Sequence, residues 1–210
     1  IIPDEGFPFK VFLFEGGNGN YVREKHWHTS IEIFAVLAGS LDFFVNKEEY
    51  PLKAGEQIII NSNEIHSIHA PEKNQTVVLQ IPLKQFENYF TAQRFIRFRG
   101  QEETTDKKLT SLIKKLYKTY VDRETGYEFK TMSIFYEIMY ILIRDYRVTE
   151  AKEKEIRHSR RLDVLSKITT YMREHYKEDL KLSELAATFG YSDAYLSRMF
   201  QKYAKINYKT

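Results

Sequence analysis

The stretch LKLSELAATFGYSDAYLSRMF, residues 180–200, decides how the rest of the chain is read. Leu182, Leu185 and Ala186 fall on one side of a short helix that ends at Gly190, the residue best suited to a left-handed cap. A second helix starts at once. Ser192 is a good N-cap, and Asp193 suits the positive end of the helix dipole. Tyr195, Leu196, Met199, Phe200 and Tyr203 form its apolar side. Two short helices joined by a Gly-containing turn have the pattern of a helix-turn-helix. Upstream, Leu165, Ile168, Tyr171 and Met172 recur at steps of three or four and predict a further helix over residues 162–176.

Charge supports a separate module here. Residues 156–210 carry 11 Lys/Arg against 6 Asp/Glu, a net of +5. Residues 101–155 are balanced and residues 1–100 net −2, so the whole excess of +3 comes from the end. A basic module beside near-neutral ones points to a polyanionic partner, against the plainer reading of a solvated charged face. With Tyr195, Leu196, Met199 and Phe200 inward, Asp193, Ala194, Ser197, Arg198, Gln201 and Lys202 face outward. Arg198 is the best base reader, since a guanidinium matches guanine O6 and N7. Its alternative is an ion pair within the module. Ala194 and Ser197 share its face, and Gln201 and Lys202 suit phosphate.

The first hundred residues have a different texture. All five prolines and seven of nine glycines lie there. Residues 7–14, 31–38, 41–46, 56–61 and 75–81 are rich in β-branched and aromatic residues, and Gly39 and Gly55 punctuate them. Many short strands predict a barrel or sandwich. After Gly100, residues 106–120 and 129–146 show helical periodicity. The second of these is apolar on two faces, as a helix with two packing partners would be; one partner could be a second subunit. Residues 147–161 are charged and almost without large apolar groups. They read as a linker, with helical i,i+4 pairs available.

Four of six histidines fall within residues 26–69. On a regular strand His26, His28 and Glu32 would point to one face. Two imidazoles and a carboxylate can ligate a divalent metal, with His66 as a fourth ligand. His26, His28, Glu32 and Gly39 match the first cupin motif. Gly55 and His66 match part of the second, with Asn61-Ser62-Asn63 and Ala70 departing from it. In metal-binding cupins the corresponding residues are the ligands, so the resemblance implies His26, His28, Glu32 and His66 as the set if a metal is held.

The cupin pattern, the helices and the C-terminal pair together resemble AraC-type (arabinose-regulator-like) transcription regulators. The resemblance implies an α+β chain. A cupin-like effector-binding β-barrel spans residues 1–99, a helical dimerisation or support segment 100–147, a charged linker 148–161, and an all-α helix-turn-helix DNA-binding module 162–210. Family members carry two helix-turn-helix units, so the chain is expected to be a fragment holding the first.

The expected function is sequence-specific DNA binding controlled by a small effector, a sugar or related metabolite. The effector would touch His26, His28, Glu32, Phe34, Phe43 and His66, and no catalytic residue is assigned. The other expectations are double-stranded DNA as partner, a homodimer, a cytoplasmic location and no membrane association. No cofactor is assigned, a divalent metal remaining open. The alternative is a metal-dependent cupin enzyme of isomerase or dioxygenase type; a third reading makes the histidines a structural polar cluster. Zero cysteine excludes a disulfide framework, a thiolate metal site and a Cys nucleophile. The longest apolar runs, six residues, are too short to span a bilayer.

Overall fold

The computed structural model describes residues 6–17, 20–46, 48–91, 95–99, 105–149, 153–204 and 208. The chain divides into two compact units, residues 1–151 and 152–210.

The first unit begins with eight strands: β1 (Lys10–Glu15), β2 (Tyr21–His26), β3 (Ser30–Ala38), β4 (Ser40–Val45), β5 (Glu48–Lys53), β6 (Gln57–Ile60), β7 (His66–Ala70) and β8 (Gln75–Pro82). They form two antiparallel four-stranded sheets, in the orders β1-β8-β3-β6 and β2-β7-β4-β5. The expected barrel is therefore two facing sheets. The first sheet is apolar on both faces because alternate residues serve different cores. Ile31, Ile33 and Ala35 of β3 and Val77, Leu79 and Ile81 of β8 point to one side. Phe34 and Val36 of β3 and Val78 of β8 join Leu41, Phe43, Val45, Leu52 and Ile68 of the second sheet on the other.

Helices α1 (Lys107–Asp122) and α2 (Tyr127–Ile141) cover the outer face of the first sheet. Asp106 caps α1, accepting from Lys108 N at 2.8 Å and Leu109 N at 3.1 Å. Leu109, Ile113 and Leu116 are buried against the sheet with Ile134, Phe135, Ile138 and Ile141 of α2. The helices thus share one core with the strands, and the boundary expected near residue 99 does not separate two cores. The apolar stripe read from Phe129 to Tyr146 also needs correction. Phe135, Leu142 and Tyr146 are buried, but Phe129 is 83% exposed. A π-helical turn, Leu142–Tyr146, ends α2 and turns Tyr146 inward. Its hydroxyl donates to Asp106 Oδ2 at 2.7 Å and accepts from Gln57 Nε2 at 3.3 Å.

Between β3 and β4 the chain turns at Gly39, with φ +74°. A Cβ there would lie 2.2 Å from the Lys73 carbonyl oxygen, so both the backbone angle and the close approach require glycine.

In the second unit, α3 spans Glu153–Glu174, α4 Leu182–Thr188 and α5 Asp193–Met199. The stretch 148–161, expected as a charged linker with helical pairs available, holds the boundary between the units and from residue 153 is the start of α3, which runs unbroken past Leu162. Leu162, Leu165 and Ile168 of α3 are buried, as are Leu185 and Ala186 of α4 and Leu196 and Met199 of α5. Gly190 takes the left-handed conformation after α4, and Ser192 Oγ caps α5 by accepting from Tyr195 N. No described helix is long and apolar enough to cross a membrane.

Candidate ligand-binding site

His26, His28, Glu32 and His66 converge, but not by the route read from the sequence. The expected single strand over residues 26–32 is absent: β2 ends at His26, and the chain crosses to the first sheet before β3 starts at Ser30. His26 is the register partner of His66 across β2 and β7, and a shift between Arg23 and His26 re-aims it. His28 sits in the crossing segment, and Glu32 faces it from the inner side of β3. The ring centroids of His26 and His66 are 4.2 Å apart, and those of His28 and His66 5.1 Å.

The imidazoles are oriented from behind. Nδ1 of His26 donates to the Glu24 carbonyl at 2.8 Å, and Nδ1 of His66 to the Glu64 carbonyl at 2.9 Å. Ser30 Oγ lies 3.2 Å from His28 Nδ1. A carbonyl accepts only, so in His26 and His66 it fixes the proton on Nδ1 and leaves a lone pair on Nε2, whereas the Ser30 hydroxyl beside His28 can donate or accept. Nε2 of His28 lies 2.8 Å and Nε2 of His66 3.6 Å from the same Glu32 oxygen, Oε2. Both nitrogens are buried without an aligned hydrogen bond. The His66 lone pair facing a carboxylate oxygen would be relieved by a cation between them.

Electrostatics point the same way. Burial pushes the Glu32 carboxyl up, but the neighbouring His28 and His66 imidazoles outweigh it and hold the group well below the usual carboxylate range. Gln80 Nε2 of β8 donates to the other oxygen, Oε1. His26 is lowered to about 4, first by burial, then by His66; its bond to the Glu24 carbonyl acts in the opposite direction, and His28 and Arg23 lower it further. A neutral imidazole is the form that binds metal. The ligand atoms of His26, His28 and His66 lie within 4.8 Å of one another. The set therefore fits a divalent cation, with Glu32 beside it as the anionic member.

Phe34 and Phe43 lie in the inter-sheet core, their rings edge-on at 4.6 Å. Phe34 is two residues beyond Glu32 on the same strand face, and both rings pack as core. His69 is on the outer face, 3.6 Å from Asp42, apart from the cluster. Gln80 was missed in the sequence reading. Its signal was available: it is the polar residue in the Val77–Ile81 run of β8, on the same side as Val78.

In the second unit Ala194, Arg198, Gln201 and Lys202 are exposed and Ser197 is half-buried. Tyr195, expected inward, is half-buried and stacks on Tyr191 at 5.0 Å.

Comparison with known proteins places this geometry. Uncharacterised helix-turn-helix-type transcriptional regulators of Staphylococcus aureus align with the chain. The one from strain COL is 21% identical over 174 residues, 81% of this chain and 23% of that protein. The one from strain MSSA476 is 20% identical over 168 residues, 79% and 22%. The chain thus spans less than a quarter of the length of these relatives. Among solved structures, a cupin-2 domain containing protein from Shewanella frigidimarina is 23% identical. It covers 34% of this chain and 69% of that one, with a TM-score of 0.32. Residues 8–139 match the family described as the AraC-like ligand binding domain, a span that holds both sheets, α1, most of α2 and all four cluster residues, and the chain belongs to that family.

Proposed function

We propose that this chain is the sensing domain and a DNA-reading module of a cytoplasmic transcription regulator. The observation that carries the reading is a combination. A family ligand-binding domain with a cluster of polar groups is followed by a unit whose α5 buries Leu196 and Met199 and presents Ala194, Arg198, Gln201 and Lys202 outward. In this reading α4 and α5 are a helix-turn-helix. Its second helix enters the major groove with its N-terminal residues at the base edges. Arg198 reads guanine, with Ala194 and Ser197 beside it, and Gln201 and Lys202 meet phosphate.

The effector is a small polar molecule, a sugar or related metabolite, held at His26, His28, Glu32 and His66, with Phe34 and Phe43 beneath. Those four residues would hold a divalent cation where one is used. Such a cation supplies a Lewis-acidic centre for ligand oxygens. The chain's own residues do the rest: Glu32 stays ionised, the Nδ1 bonds fix the rings, and the packed phenylalanines exclude water.

The exposed face of α2, with Phe129 83%, Tyr136 61% and Tyr140 58% exposed, is the seat of a homodimer. A metal-dependent cupin enzyme of isomerase or dioxygenase type is the second reading. The buried Nε2 atoms of His28 and His66 favour it, but it leaves the basic C-terminal unit without a role.

The test is selection of duplexes from a random DNA library by the purified chain, followed by fluorescence anisotropy on the enriched sequence. The regulator reading expects an enriched motif whose affinity falls steeply with salt. No enrichment, together with stoichiometric metal and turnover of an organic substrate, would favour the enzyme.

A further inference from the structure

The turn at residues 61–64 holds two things at once. On one side it carries the cluster. Asn63 N–H donates to the His28 carbonyl at 2.7 Å, and the Glu64 carbonyl accepts from His66 Nδ1 at 2.9 Å. The two residues whose Nε2 atoms face Glu32 are therefore both tied to this turn, His28 through its backbone carbonyl and His66 through its ring. On the other side the turn carries a buried strap, residues 95–99. The Asn61 side chain pairs with the Phe98 backbone in both directions. Its Nδ2 donates to the Phe98 carbonyl at 2.9 Å, and its Oδ1 accepts from Phe98 N–H at 2.7 Å. This is what a neighbouring strand would offer, supplied by one amide. Glu64 braces it: Oε2 accepts from Asn61 N–H at 2.8 Å and from Asn61 Nδ2 at 3.3 Å, and Oε1 meets Arg97 at 3.5 Å.

The strap continues the connection. Arg99 N–H donates to the Tyr146 carbonyl and Val148 N–H to the Arg97 carbonyl, each at 2.9 Å. The Arg99 guanidinium donates to the Asp145 carbonyl at 2.6 and 3.2 Å. Residues 145–148 are the end of the first unit, a few residues before the chain passes to the second at residue 152.

We infer that Asn61 and Glu64 are positioning residues that couple occupancy of the histidine cluster to the strap and so to the chain leaving the ligand-binding unit. The inference rests on the reading of the cluster as a ligand site. A ligand on Nε2 of His28 and His66 fixes both rings, and through the His28 carbonyl and His66 Nδ1 it fixes the turn. A fixed turn opens the Asn61–Phe98 pair less often. Coupling of binding free energies is reciprocal, so loosening the pair must weaken binding at the cluster by the same factor. Couplings of this kind change affinity by roughly 5- to 150-fold.

The experiment uses the intact chain and Ni²⁺ alone as probe, since imidazole sites accept it. Ni²⁺ affinity is measured by calorimetry, and amide exchange by mass spectrometry, for wild type, Asn61→Ala and Glu64→Gln. The expected result is Ni²⁺ binding to wild type with slower exchange at Phe98, Arg99 and Val148, while the hairpin at residues 40–53 is unchanged. Asn61→Ala should bind Ni²⁺ at least 5-fold more weakly and lose the slowing. If Asn61→Ala fails to fold, the wild-type exchange and Glu64→Gln decide the matter alone. Binding to wild type with unchanged exchange in the strap overturns the coupling and leaves the site reading standing. Absence of Ni²⁺ binding to wild type removes the site reading, and the coupling with it.

Discussion

Tyr146→Phe removes one oxygen atom and tests what fastens the helices to the sheet. The hydroxyl donates to Asp106 Oδ2 at 2.7 Å and accepts from Gln57 Nε2 at 3.3 Å, joining the end of α2, the cap of α1 and β6. Tyr146 is 1% exposed, so its ring stays packed in the variant and water cannot easily replace the lost contact. A hydrogen bond to a charged group contributes about 1.5–3 kcal/mol, so the variant should lose about 2 kcal/mol. In urea, with an m-value of roughly 2 kcal/mol/M, that is a midpoint lower by about 1 M. Asp106→Ala loses the same bond and the cap of α1, so it should lose about 3 kcal/mol. The double variant should be little worse than Asp106→Ala, leaving a coupling of about 1.5–2 kcal/mol. Trp27 is the sole tryptophan and lies in the first unit, so its fluorescence follows the unit in question. A Tyr146→Phe midpoint within about 0.2 M of wild type, or additive effects of the two changes, would refute the reasoning.

Three further outcomes are expected. First, in metal-free protein both perturbed site groups have folded values below their ordinary ones: 6.5 for His26, lowered to about 4, and 4.5 for Glu32, lowered further. The unfolded chain therefore takes up protons first; stability is full above about pH 6.5 and falls through pH 4. Urea midpoints at pH 7.5, 5.5 and 4.5 should drop in that order, and a flat series in metal-free protein contradicts the site electrostatics. Second, Gly39→Ala places Cβ 2.2 Å from a backbone oxygen, whereas Gly55→Ala, also at positive φ, meets open space. The first should cost at least ~2 kcal/mol and the second ~1 kcal/mol; thermal melts that reverse the ranking count against the model of the turn. Third, Arg198→Ala should relax the preference at one base position by ~1–3 kcal/mol. Equal loss of specific and nonspecific affinity, measured by anisotropy, would place Arg198 on phosphate instead.

The helical parts were the most legible. Gly190 and Ser192 mark element ends by chemistry that acts within a few residues, and the structure puts both where that chemistry predicts. The strands were legible only where they are buried. β2 reads YVREKH and its residues before His26 are exposed; β5 contains Pro51 and is likewise mostly exposed. Both are at the edges of the second sheet, where no apolar alternation is required, so nothing in the sequence announced them. This is why His26, His28, Glu32 and His66 could be grouped from the motif while the route that brings them together was misread: without β2, His26 and Glu32 looked like one strand. The extent of α3 was hard to read for a related reason, since among the described residues its first buried one is Leu162 and no described stripe precedes it. On α2 both faces are apolar, so periodicity could not say that Phe135 is in and Phe129 out. The pairing of Asn61 with Phe98 spans 37 positions and has no local signal at all.

The alternation along β3 has an evolutionary consequence. Glu32, Phe34 and Val36 look toward the space between the sheets, while Ile31, Ile33 and Ala35 look toward the helices. Neighbours in the gene thus answer to different pressures. In the proposed function, substitutions at even positions would retune what the domain senses, while those at odd positions would drift with the helical layer behind it. A descendant could change its chemical stimulus without renegotiating the machinery that reports it. An insertion or deletion of one residue within the strand would exchange the two sets, so lineages diversifying this sensor should vary β3 by replacement and confine length changes to the loops.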